Sequence, residues 1–129
     1  MKPSSTDTYR QVAEAAWRWA LDQVRWDDGP WIPESVPPGE APQVPRQRDG
    51  SHSGVGGLAY VLAEIRLTRA WTEQETALAH GIADRLRRRI PDERDCTFFD
   101  GLPSTVGVLI ALEEPRVEVA FTRLAELAI

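Results

Sequence analysis

Two carboxylates, one histidine and a set of glycines carry the spacing in this sequence that can do chemistry. Asp49 and His52 lie in Asp49-Gly50-Ser51-His52-Ser53-Gly54-Val55-Gly56-Gly57-Leu58. Asp100 opens a second copy, Asp100-Gly101-Leu102-Pro103-Ser104-Thr105-Val106-Gly107-Val108-Leu109. The copies share the pattern D-G-x-x-S-x-V-G-x-L at an offset of 100 − 49 = 51 residues. A carboxylate set just before a buried helix can act as acid or base, or orient a substrate. Histidine titrates near neutrality as a residue type, which makes His52 a second candidate for proton work. If the helices these motifs open line a ring, Asp49, His52 and Asp100 face its central cavity. Each also has a plainer reading. Asp-Gly favours turns and N-caps, and a lone loop histidine commonly serves as a hydrogen-bonding residue.

Gly54-Val55-Gly56-Gly57-Leu58-Ala59 also fits a loosened dinucleotide fingerprint, G-x-G-x-x-A. That fingerprint needs a strand before it inside a β-α-β unit. Here a proline-rich polar loop precedes it, so the glycines are read as steric. Gly54, Gly56, Gly57 and Gly107 are expected to let buried helices approach their neighbours closely. No zinc spacing, G-x-S-x-G, H-E-x-x-H or P-loop occurs in the chain. Cys96 is the single cysteine, with no histidine near it in sequence, and is a poor metal ligand or nucleophile. No metal site is assigned, and His80 is read as a surface or packing residue.

The 129 residues suffice for one domain, assigned to 1–129, with a real core. A net charge of −5 opposes a phosphate-binding surface, so nucleic acid is excluded as a partner. No stretch reaches the roughly 18 apolar residues of a membrane span, so no membrane partner is expected. The lone cysteine and the lack of an apolar signal segment point to the cytoplasm.

Helices must position these residues. The stripe Tyr9, Ala13, Ala16, Trp17, Ala20, Leu21 and Val24 predicts an outer helix from Ser5 to Trp26, capped within Ser4 to Thr6. Six prolines, including Pro37, then fill 27–48, where regular structure is expected to stop. This stretch reads as a surface excursion anchored by Trp26, Trp31 and Ile32. The run from Val55 to Arg69 is apolar almost all round and predicts a helix buried on all sides. Thr72-Glu73-Gln74-Glu75 reads as a capping box for a helix to Ile90, with Leu78, Ile82, Leu86 and Ile90 at four-residue steps. Its arginines, Arg85 and Arg87 to Arg89, read first as a solvated helix end opposing the helix dipole, and second as an anion patch. Phe98 and Phe99 are expected to pack under Asp100. A short inner helix follows from Pro103 to Leu112, then an amphipathic one from Arg116 with Val117, Phe121, Leu124, Ala125 and Ala128 inward.

The alternation of amphipathic and buried helices describes hairpins in two layers. At these residues the chain resembles the lanthionine synthetase C-like family. Phe99-Asp100, Ser104, Gly107 and Val108-Leu109 follow that family's aromatic-Asp, x3, Gly, x2, Gly, apolar spacing, and Ser53 to Ala59 looks like an earlier copy. Ser104 and Ser53 stand where the family often has glycine. The resemblance implies an all-α fold, part of an (α/α)6 toroid with about five of its helices. It also implies zinc-dependent addition of a cysteine thiol to a dehydrated serine or threonine of a peptide substrate. The family's zinc ligands, two cysteines and a histidine, match no position here, so zinc is expected only in a full-length member. Asp100 alone carries over, as a residue assisting proton transfer. The chain, ending on Ile129, is therefore expected to be an N-terminal portion that is inactive alone. Its partners would be the remaining C-terminal hairpins or a second chain. The other readings are a noncatalytic helical module binding a peptide or protein, and part of a six-hairpin glycosidase-like enzyme.

Overall fold

The structure, a computed structural model, describes residues 2, 4–36 and 38–128. The expectations for Pro37 in the loop and Ile129 at the chain end lie outside the described residues, as do Met1 and Pro3. Among the described residues five α-helices dominate: α1 (Ser5–Asp22), α2 (Gly56–Arg66), α3 (Glu73–Arg89), α4 (Leu102–Ala111) and α5 (Glu118–Leu127). The fold is mostly helical, as the periodicity predicts.

Local chemistry sets the helix starts. Ser4 caps α1, its Oγ accepting from the Asp7 amide at 3.1 Å. The capping box of α3 is complete. The Glu75 amide donates to Thr72 Oγ1 at 3.2 Å, and the Thr72 amide donates to Glu75 Oε1 at 2.8 Å. α1 ends at Asp22, short of Trp26, because Trp26 belongs to a two-residue strand. β1 (Arg25–Trp26) pairs antiparallel with β2 (Pro30–Trp31), so regular structure continues past Asp27 where the prolines predicted none. Asp28 (φ 51) and Gly29 (φ 88) adopt the left-handed conformations that reverse the chain between them.

α2 lies along α4, α3 packs on both, and α5 packs on α4. The core between them contains Ala59, Leu62, Leu78, Ile82, Leu102, Val108 and Leu109. Burying each of its leucine or isoleucine side chains contributes about 1.5–3 kcal/mol. The four-step stripe Leu78, Ile82, Leu86 and Ile90 is buried throughout.

The outer faces depart from expectation. α2 is covered on one side only: Tyr60 and Val61 are 43% and 40% exposed. In α1 only Trp17 and Leu21 are buried. In α5 the inward seam is Val117, Ala120, Leu124 and Leu127, while Phe121 and Ala125 point outward. A 3-4-3 spacing keeps one helix face as well as the expected stripe does.

α1 is held by polar contacts. The Trp17 indole donates to Glu75 Oε2 at 2.8 Å. Arg69 grips Glu75 with two bonds of 2.8 and 3.0 Å, and Glu14 with two of 2.9 and 3.1 Å. The Arg69 guanidinium, aided by the Thr72 amide and the indole, holds the Glu75 carboxyl down at about 2.

Candidate functional site

The two motif copies meet face to face. The Ser51 amide donates both to Ser104 Oγ and to the Phe99 carbonyl, each at 3.1 Å. The Ser51 hydroxyl donates to the same carbonyl at 3.3 Å. The copies do not open their helices alike. α2 begins 56 − 49 = 7 residues after its aspartate, and α4 begins 102 − 100 = 2 after its own. Pro103 suits a first helical turn, whereas Ser51 to Val55 form turns first.

Of the motif glycines, Gly50 serves this docking, and Gly54, Gly56 and Gly57 serve the fold of their own loop. A Cβ on Gly50 would lie 2.7 Å from Asp100 Oδ1. On Gly54 it would lie 2.5 Å from the Gln47 carbonyl, on Gly56 2.5 Å from that of Asp49, and on Gly57 2.7 Å from that of Ser51. These three pack the loop backbone against its own helix start, not one helix against the next as expected. Gly107 alone meets another helix, through Tyr60 Oη of α2 at 2.5 Å.

Asp49 does not line a cavity. It is 5% exposed and receives Arg85 Nε at 3.2 Å and Nη2 at 3.4 Å, with Arg89 Nη1 closing the pair. Arg85 and Arg88 also hold Asp28 of the reverse turn. Those cations, Arg88 foremost, keep the Asp28 carboxyl below its ordinary range. The arginines of α3 are thus neither a free helix end nor an open anion patch. They are neutralised by Asp28 and Asp49 of two loops, by Glu93 and Glu114 beyond the helix and by Asp84 within it. Arg48 completes the clamp, donating to the carbonyls of Asp27, Asp28, Gly29 and Pro30 at 3.0–3.2 Å. No sequence motif announced it, since its acceptors are backbone atoms about 20 residues away.

Asp100 has the opposite environment. Its Oδ1 is buried and has no hydrogen-bond partner. Phe98 and Phe99 do not pack beneath it. They are 73% and 55% exposed, and Phe99 meets His52 at a tilt of 47° with ring centroids 5.4 Å apart. His52 also lines a cleft of about 400 Å³ between Ile32, Pro33 and Glu34 on one wall and the Ser51–Gly54 turn on the other. Neither aspartate lines it.

Among the described residues no three or more His, Cys, Asp or Glu side chains are grouped to hold a metal ion. Cys96 is exposed, its thiol turned to the Arg94 carbonyl at 3.8 Å. This donor set does not fit the zinc of the family that the motifs resemble. No helix among the described residues is long and apolar enough to cross a membrane. No family model, curated protein or solved structure matches the chain.

Proposed function

We propose that this chain forms the first hairpins of a lanthionine synthetase C-like α/α toroid, placed in a reducing cytoplasm. The full ring would add a peptide cysteine thiol to a dehydrated serine or threonine. The observation that carries the reading is the paired docking of the two motifs, which starts α2 and α4 side by side through Ser51 and Ser104. Asp100, with its unpartnered oxygen at that junction, takes the proton-transfer role. The donors for zinc would come from other hairpins, and this chain alone is inactive.

The test is loss of free thiol from a dehydrated peptide that carries one cysteine. The 129-residue chain is expected to leave the thiol untouched. The chain extended through its downstream reading frame, loaded with zinc, is expected to consume it, and Asp100→Asn to slow it about 10²-fold or more. An extended frame without a Cys, Cys, His set, or without thiol loss, overturns the reading. The exposed surface of His52, Phe98 and Phe99 favours a second reading, a noncatalytic peptide-binding module. Peptide capture by this chain with no chemistry in any extended form would select it.

A further inference from the structure

α1 carries two apolar seams, and the fold uses one of them. Trp17 and Leu21 reach the core. Tyr9, Val12, Ala16 and Trp19 form the other, at steps of three, four and three residues. Tyr9 is 76%, Val12 63% and Trp19 60% exposed, and Ala16 is exposed as well. Ser5 and Gln23 hold the next places at either end and close the seam with polar residues. Val12, Ala16 and Trp19 line neither of the grooves beside α1.

This spacing is that of the a and d positions of a helical heptad, which meet a second helix rather than water. The positions flanking such a seam commonly carry the charges that choose a partner. Here they are Thr8, Ala13, Ala15, Ala20 and Asp22. The mid-helix charges Arg10, Glu14 and Arg18 fall on the other sides of α1, and Glu14 is already taken by Arg69. Charge therefore does not select a foreign partner, whereas residue size makes the seam complementary to itself. In an antiparallel pair, Tyr9 of one copy lies opposite Trp19 of the second, and Val12 opposite Ala16. The aromatic residues pair at both ends, where the rim keeps their O–H and N–H groups wet. The small residues meet at the centre, with Ala13 and Ala15 beside the axis, so the two backbones can approach closely. Every such contact occurs twice, as a two-fold interface requires.

We propose that the outer seam of α1 is a homodimer interface, on which a second copy of this chain docks its own α1 antiparallel. The proposal rests on neither the ring nor the thiol chemistry above, because the seam faces away from the core. One helix pair is smaller than a standard interface of roughly 800 Å² per partner, so pairing is expected at on the order of tens of micromolar chain.

The experiment is sedimentation velocity on the intact chain over a concentration series. A monomer–dimer equilibrium is expected. Val12→Glu should weaken it at least about tenfold by burying a charge. Ala16→Trp separates a fitted seam from general stickiness. It adds apolar surface but overfills the centre opposite Val12, so it should also weaken the dimer about tenfold or more. Phe121→Glu on α5 should leave pairing unchanged. All three residues are exposed, and matching thermal melts would show that the variants fold. Direction is read from Tyr9→Cys and Trp19→Cys chains, each also carrying Cys96→Ser. On oxidation they should cross-link with each other and not with themselves, since antiparallel pairing sets two copies of residue 9 about 15 Å apart along the helices, beyond disulfide reach. A monomer at every concentration, a dimer indifferent to Val12→Glu, or a tighter dimer with Ala16→Trp overturns the proposal. Self-cross-linking of the Tyr9→Cys chain overturns the antiparallel arrangement.

Discussion

The Ser51 amide donates to the Ser104 hydroxyl at 3.1 Å, tying the third residue of one motif copy to the fifth of the other. This single bond sits where the starts of α2 and α4 converge. Ser104 is 4% exposed, so its hydroxyl has little water to turn to. Ser104→Ala should cost about 1–2 kcal/mol in denaturant unfolding, since it removes a buried acceptor. The Ser51 amide keeps the Phe99 carbonyl, which holds the loss to that range. An unchanged midpoint would show that the copies are held together by apolar contact alone.

Asp49 and Asp100 occupy matching places in the repeat and should respond oppositely. Asp49→Asn removes the buried carboxylate that Arg85 and Arg89 share and leaves Arg85 to Asp28 and Arg89 to Glu93. Losing these charged hydrogen bonds should cost about 1–3 kcal/mol. Asp100→Asn removes no hydrogen bond to Oδ1 and should move stability by less than about 0.5 kcal/mol. Chemical melts of both variants decide it. Equal losses would mean that Asp100 is a structural residue like its counterpart.

Two glycines separate loop packing from helix packing. Gly56→Ala drives a methyl into the Asp49 carbonyl, which is backbone and cannot yield. The expected loss is about 1–3 kcal/mol. Gly107→Ala meets only the far end of the half-exposed Tyr60 side chain. That end swings away, and alanine regains up to about 1 kcal/mol of helix propensity. Thermal melts should therefore fall for Gly56→Ala and stay level or rise for Gly107→Ala.

Acid should release α1. The Glu75 carboxyl is depressed from 4.5 to about 2 by Arg69. A depressed carboxyl contributes stability that is complete above its unfolded value and lost as pH falls through the folded one. The loss therefore falls between about pH 4.5 and pH 2 and amounts to about 2–3 kcal/mol. Glu75→Gln should remove most of this slope and lower stability at neutral pH by a similar amount. Trp17, whose indole donates to Glu75, supplies a fluorescence readout of the release. A variant that keeps the wild-type acid slope would place the titration elsewhere.

The helices were legible in the sequence because their signals are local. The box Thr72 to Glu75 specifies its own hydrogen bonds, and the stripe from Leu78 to Ile90 needs only a 3.6-residue period. The motif repeat was legible too, as was the mostly helical fold. The reverse turn at Asp28 and Gly29 was hidden among prolines that argue against any regular structure. Which apolar face meets a neighbour was not legible either. Tyr9 and Trp17 carry equal hydrophobic signals, yet one is 76% exposed and the other 7%.

What the sequence determined by itself is therefore the set of helices and the pair of motifs that open α2 and α4. Short-range backbone chemistry decides these. Only the tertiary structure decided the environments of the two aspartates. It brought Arg85 and Arg89 to Asp49, from 36 and 40 residues away, and left Asp100 Oδ1 unpartnered beside Gly50. Charge pairing between distant segments depends on where the packed helices end. Matching motifs thus acquired opposite surroundings, one carboxylate neutralised by arginines and the other with an oxygen that accepts no hydrogen bond.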